Sequence, residues 1–197
     1  MEIFAILLII IGTILKLVYP KFKGYVGEEV ANRELNKLGD NYKVLNDIMV
    51  YSDNKTHQID HIVVSKYGVY VIEMKNYGGT IKGKEKDDEW IQNIGTKTNK
   101  LKNPIKQNHG HILSLKDVTK EKENIFIPIV CFGNNVELKL DVTSKAVLLK
   151  NLNKTVKSYR EVRIDNIDKV LTKINDANIT DKKVRKEHVS NIKKKYK

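Results

Sequence analysis

Cysteine is almost absent. Cys131 stands alone among 197 residues, which excludes an intrachain disulfide framework and any four-cysteine zinc site. Acidic side chains are outnumbered, 24 Asp and Glu against 36 Lys and Arg, for a formal charge of +12. Tryptophan occurs once, at Trp90, and proline three times, at Pro20, Pro104 and Pro128. What is plentiful is apolar sequence: a hydrophobic fraction of 41% excludes a mostly disordered chain, and the length suits one ordinary domain with a full core. The positive excess is uneven. Residues 182–197 hold eight basic residues and one Glu, for +7, residues 1–20 are neutral, and the body over 21–181 keeps +5.

The amino terminus is nearly continuous apolar sequence from Ile3 to Tyr19, broken only by Gly12, Thr13 and Lys16. A helix of that length reaches about 25 Å, slightly under the roughly 30 Å hydrocarbon core of a bilayer. Lys16 is close enough to the end for its ammonium to reach the interface. A cleaved signal peptide fits less well, because Glu2 replaces a positive first region and Val18-Tyr19-Pro20 lacks small residues. A buried core helix would need a polar face. The reading is a membrane anchor through residues 3–19. Lys16, Lys21 and Lys23 at its carboxyl end place the rest of the chain in the cytoplasm by the positive-inside tendency, as a single-pass protein of the cell membrane.

Past the anchor, Val26–Leu38 reads as an amphipathic helix stopped by Gly39-Asp40. Strands are expected over 43–50, 58–65 and 69–75, the last two joined as a hairpin by Lys66-Tyr67-Gly68. A short strand is expected over 80–83. A helix starting at Pro104 should run through Leu115. Residues 125–132 read as a buried strand in which Pro128 suggests an edge or bulge, followed by a strand over 146–149 and a helix over 165–174. No internal repeat is visible. The organisation expected is an anchor over 1–20, one mixed α/β domain over 21–150, a helical extension over 151–181 and a basic tail over 182–197.

The hairpin carries the chemistry. Alternation puts Glu73 and Lys75 on the face of Val71, with Ile72 and Met74 on the other. If Val64 pairs with Val69, Asp60 falls opposite Glu73 and Gln58 opposite Lys75, crowding two acids, a lysine and an amide; an odd-length loop would spoil this. Charges in such apolar strands cost several kcal/mol unless paired or bound to metal. Oxygen ligands with room for water suit Mg²⁺ or Mn²⁺, and a lysine beside them can hold a water or a phosphate, which is the equipment of metal-assisted phosphodiester hydrolysis. A solvated Glu-Lys pair on a sheet surface is the plainer alternative from spacing alone.

Asp60 followed by Glu73-Met74-Lys75 resembles the PD-(D/E)xK nuclease superfamily. The longer string is more specific. Gly27-Glu28 with Val30, the stretches Gln58–Ser65 and Gly68–Asn76, and Asn103-Pro104-Ile105-Lys106-Gln107-Asn108 are together similar to the nuclease-related domain (NERD) family over roughly residues 24–140. The resemblance implies a restriction-endonuclease-like αβββαβ core with a central mixed sheet, here preceded by the transmembrane helix. It implies a magnesium- or manganese-dependent hydrolase acting on DNA or RNA. Asp60, Glu73 and Glu28 would be the metal-binding acids, Lys75 the residue orienting water or phosphate, and Gln107 a holder of substrate or of another site residue. Glu29 lies about 100° around the helix from Glu28, so only one of them can face the hairpin, and the family pattern favours Glu28. Met74 occupies the variable position, facing away from the site.

Other candidates read as packing or surface. His61 follows Asp60 and points to the opposite face. His109 and His111 lack the i, i+4 spacing of a helical metal pair, and His57 and His188 carry no ligand pattern. Trp90 reads as a core anchor with base stacking as the alternative, and Cys131 as a buried thiol. Val184, His188, Ile192 and Tyr196 recur every fourth residue among the tail lysines, so the tail suits anionic lipid, nucleic acid or solvent alone. Two rivals to the nuclease remain open at this level: a non-catalytic nucleic-acid-binding module that keeps the fold, and a membrane scaffold whose tail recruits a partner.

Overall fold

A computed structural model describes residues 2–195, with side chains described continuously over 22–191. The elements are α1 (Glu2–Leu35), β1 (Lys43–Ser52), β2 (Lys55–Ser65), β3 (Gly68–Lys75), β4 (Gly79–Lys84), β5 (Glu89–Ile94), β6 (Lys97–Lys102), α2 (Pro104–Thr119), β7 (Phe126–Phe132), β8 (Val136–Asp141), β9 (Lys145–Leu148), α3 (Leu152–Val156), α4 (Ile167–Ala177) and α5 (Lys182–Lys195). The fold is mixed α and β, with mixed parallel and antiparallel sheets. The expected αβββαβ order recurs as α1, β1–β3, α2 and β7, but β4–β6 are inserted between β3 and α2.

The main sheet runs β1-β2-β3-β7-β9. Its first three strands are antiparallel, and β3–β7 and β7–β9 are parallel. Alternation sorts the side chains of β3 between two cores. Val69 and Val71 join Ile112 and Leu115 of α2 and Ile174 of α4. Tyr70, Ile72 and Met74 join Ala31 and Leu35 of α1 and Leu152 and Val156 of α3. Both faces of this sheet are therefore covered, which is why its central strands read as unbroken apolar runs. Pro128 faces Val71 across the parallel ladder, and β9 pairs only from Ile129 onward. The missing N–H thus falls where β7 is still flanked on one side.

A second sheet, β6-β5-β4-β8, packs Ile81, Trp90 and Val136 with Phe132 of the main sheet. Trp90 is the anchor expected of it: its ring stacks on Phe132 at 6.3 Å and its Nε1 donates to the Lys84 carbonyl at 2.8 Å. A Cβ on Gly83 would lie 2.2 Å from that indole, so only glycine lets the ring cross there.

Two sequence expectations change. Strands β5, β6 and β8 were not anticipated. The helix expected from Val26 is the last part of one continuous α1, followed by a short 3-10 turn over Asn36–Leu38 and Gly39 at φ +94°. Among the described residues no helix is long and apolar enough to cross a membrane. The anchor expected over 3–19 falls mostly on side chains outside the described set.

Candidate active site

The hairpin closes in the even register, with Val64 opposite Val69 and His61 opposite Ile72, which aligns Asp60 with Glu73. Asp60 accepts a hydrogen bond from the Met74 backbone N–H at 2.8 Å. Lys75, two residues beyond Glu73, returns its ammonium to Glu73 Oε1 at 2.6 Å and donates to Gln107 Oε1 at 3.1 Å. Glu28, Asp60, Glu73, Lys75 and Gln107 all line one cleft of about 520 Å³. All five residues expected at the site are therefore brought together.

Two local devices place them. The first is glycine at the crossing of α1 over the end of β3. A Cβ on Gly27 would meet the Asn76 Cβ at 2.6 Å, and one on Gly133 would meet Asn76 Oδ1 at 2.6 Å. Asn76 fills that gap and donates to the Lys23 carbonyl at 2.7 Å, so Glu28 is carried to the cleft while its neighbour Glu29 pairs outward with Arg33 at 3.5 Å. The second is the start of α2. Asn103 caps it by accepting from the Ile105 N–H at 2.9 Å, and Pro104 fills the first turn, where its missing N–H costs nothing. Asn108, fully buried, donates to the Val71 and Ile129 carbonyls at 2.9 and 3.1 Å. That clamp fixes the face presenting Gln107 and, one turn later, His111.

His111 is the residue the sequence reading missed. Its Nε2 lies 3.1 Å from Glu73 Oε2, leaving Nδ1 buried without a hydrogen-bond partner. The signal was present: Gln107 and His111 are i, i+4, so placing the glutamine at the site places the histidine beside it. His57 and His188 also line the cleft, and the His57 and His111 rings meet edge to face at 6.1 Å. Asp47 is a further acid at the margin, opposite Asp60 at a point of β1 where φ is +52°; it accepts from Gln58 Nε2 at 2.7 Å. His61 points away as expected, buried with Nδ1 2.7 Å from Asn46 Oδ1, and burial lowers its pKa to about 4. Burial pushes the Cys131 thiol up to about 12, which leaves it inert.

The acids do not share one charge state. Burial raises Asp60 well above the usual aspartate range, and Glu73 adds to the rise. Burial also raises Glu28, helped by Asp47 and Glu73. Burial pushes Glu73 the same way, but the Lys75 ammonium and the His111 hydrogen bond outweigh it, so this carboxyl lies below its ordinary value. Lys75 is desolvated too, yet Glu73 holds its pKa above that of a free lysine. One buried ion pair is thus flanked by two carboxyls short of positive charge.

Among the described residues no three His, Cys, Asp or Glu side chains form a ready-made metal cluster, and Glu73 Oε1 is engaged by Lys75. The donor chemistry nevertheless fits a hard dication. Three carboxylates from three elements meet in one cleft, and two have raised pKa values that a cation would relieve.

A family model matches the region that holds these residues. The model of the nuclease-related domain matches residues 23–133, more than half of the chain. An uncharacterized protein of Bacillus anthracis is 36% identical, covering 96% of this chain and 92% of that one. The crystal structure of a protein of unknown function, AF1548, covers 84% of this chain and 94% of its own at 15% identity, with a TM-score of 0.36, a likeness that carries no argument. With the matched segment spanning Glu28, the hairpin and the start of α2, this chain belongs to the nuclease-related domain family.

Proposed function

We propose that this protein is a membrane-anchored, metal-dependent nuclease that hydrolyses phosphodiester bonds of DNA or RNA, with its domain in the cytoplasm. The observation that carries the proposal is the Glu73–Lys75 pair, at 2.6 Å, set between Asp60 and Gln107 in one cleft. A plain surface pair would be solvated, whereas here Glu73 is buried, Lys75 is only 17% exposed, and the pair is braced from α2 by Gln107.

Asp60, Glu73 and Glu28 would hold Mg²⁺ or Mn²⁺, which would polarise the scissile phosphate and acidify water. The chain's own residues do the positioning. Lys75 keeps its charge at neutral pH and can turn its remaining hydrogen toward a non-bridging phosphate oxygen or the attacking water. Gln107 accepts one ammonium hydrogen and, with Glu73, fixes the direction of the third. His111 donates to Glu73 and fixes the carboxylate rotamer. The apolar run from Ile3 to Tyr19 supports the membrane location.

The test uses the full chain in detergent micelles with labelled single- and double-stranded DNA and RNA, each in EDTA, Mg²⁺ or Mn²⁺, beside Lys75→Ala. Cleavage that requires metal and disappears in the variant is expected, and it identifies the substrate. Binding of every substrate without cleavage would contradict the nuclease and leave a docking module.

A further inference from the structure

At the end of the hairpin away from the cleft, a cavity of about 390 Å³ lies between the β2–β3 turn, the residues leading into β1, and the loop from α3 to α4. Glu73 stands five residues along β3 from Gly68, roughly 17 Å at strand spacing, so this space is separate from the catalytic one. Its lining holds four cations from three segments: Lys43 at the start of β1, Lys66 in the hairpin turn, and Lys157 and Arg160 in the α3–α4 loop. Asp40 is the single acid of the lining. Among the described residues none of the four cations is ion-paired with a carboxylate. Tyr42, Tyr67 and Ile167, all half-buried, supply the apolar part.

The walls are fixed by the backbone. The Lys66 carbonyl accepts from the Arg163 and Ile164 N–H groups at 2.9 and 3.1 Å, which pins the α3–α4 loop to the hairpin turn. Within that turn, the Tyr67 N–H donates to Ser65 Oγ at 3.1 Å, and the Lys66 ammonium lies 5.2 Å from the Tyr67 ring centre. Across the cavity, the Tyr42 N–H donates to the Gly39 carbonyl at 3.0 Å. Asn153 donates to the Glu34 carbonyl at 2.8 Å and so ties α3 to α1. Tyr42 and Tyr67 both pack on the core beneath. The fold therefore gathers like charges with no carboxylate partner, a repulsion that a bound anion would relieve.

We propose that this cavity binds a soluble nucleoside polyphosphate, with its phosphates among Lys43, Lys66, Lys157 and Arg160 and its base against Tyr42, Tyr67 and Ile167. The site does not depend on the nuclease reading. An arginine fork and several ammonium groups match the many oxygens of a polyphosphate, and the volume falls within the range of about 300–1,000 Å³ usual for small-molecule sites. The half-buried tyrosines suit a ring system and would be idle beside a bare phosphate. A lipid headgroup fits poorly. Because α1 is one continuous helix, Leu35 lies roughly 24 Å along its axis beyond Tyr19, and the cavity lies past that end.

The test is isothermal titration calorimetry of the full chain in nonionic detergent micelles, in EDTA, with ATP, GTP and tripolyphosphate. At least one nucleotide should bind, more weakly as NaCl rises. Lys66→Gln combined with Arg160→Gln should weaken that binding at least tenfold. Lys43→Gln combined with Lys157→Gln repeats the test on the facing walls, should either pair disturb the fold. Lys75→Ala in the cleft, and replacement of Lys182, Lys183 and Lys186 of α5 by Gln, should leave the affinity within twofold. Absence of binding by both nucleotides up to about 1 mM would overturn the proposal. So would tripolyphosphate binding as tightly as either nucleotide, or affinity lost in Lys75→Ala and kept in both cavity variants. Cavity variants that lose only phosphatidylglycerol vesicles or oligothymidylate, with nucleotide affinity intact, would overturn it as well. Cleavage is not part of the readout, so the nuclease reading and this site can fail separately.

Discussion

At Asp60, burial and Glu73 both work against the charged carboxylate, and only the Met74 N–H and Lys75 work for it. Folding thus disfavours the charged form of this carboxyl relative to the unfolded chain. Because the folded pKa is raised, the stability from this group is complete below the unfolded value, near 3.8, and is lost as pH rises through the folded value. Asp60→Asn keeps an acceptor for the Met74 N–H and removes the penalty. It should raise the melting temperature in EDTA at pH 8 by about 2–4 °C, with no gain at pH 3, while cleavage is lost. A variant less stable than the parent at pH 8, in scanning calorimetry at both pH values, would show that the carboxylate is not strained. The residue scale also explains why His111 escaped the sequence reading. His109 and His111 lack ligand spacing, whereas the pair that matters is Gln107 and His111, one turn apart and united only by a shared target on β3.

The elements that position the site were legible in proportion to how completely they are buried. The hairpin register followed from its even loop and two-faced burial, so Asp60 met Glu73 as the alternation requires. Strand β6, with the sequence KTNKLK, escaped because Leu101 is its only large apolar side chain. Strand β8 did alternate, through Val136, Leu138 and Leu140, a period-2 signal that was there to be read. At the crossing of α1 over β3, the glycine pattern has a steric reason that only the contact with Asn76 reveals. Gly27→Ala improves helix propensity by about 1 kcal/mol but forces a Cβ against Asn76. It should destabilise the fold by roughly 1–3 kcal/mol and lower cleavage at least tenfold by shifting Glu28. Gly110 on α2 has open space around it, so Gly110→Ala should instead stabilise by about 0.5–1 kcal/mol. Urea unfolding of both variants checks this, and equal effects at the two positions would remove the steric argument.

For the whole molecule, charge and hydrophobicity divide the labour. The apolar amino terminus is assigned to the membrane only by the proposed function, the mildly basic body holds the cleft, and the basic carboxyl end reaches the cleft's edge through His188 of α5. The membrane assignment predicts that the chain stays with membranes through alkaline carbonate extraction, and that protease added outside spheroplasts leaves the fragment from residue 21 intact. Release into the soluble fraction, or digestion from outside, would contradict it.

The central claim is that Asp60, Glu73 and Lys75 form one metal-dependent phosphodiester-cleaving unit. Single-turnover cleavage in Mg²⁺, under saturating enzyme, tests it most directly on the parent, Glu73→Gln and Lys75→Ala. Each substitution should slow cleavage at least 100-fold, and EDTA should abolish cleavage by the parent. Variants that cleave within threefold of the parent, or cleavage that continues in EDTA, would contradict the account.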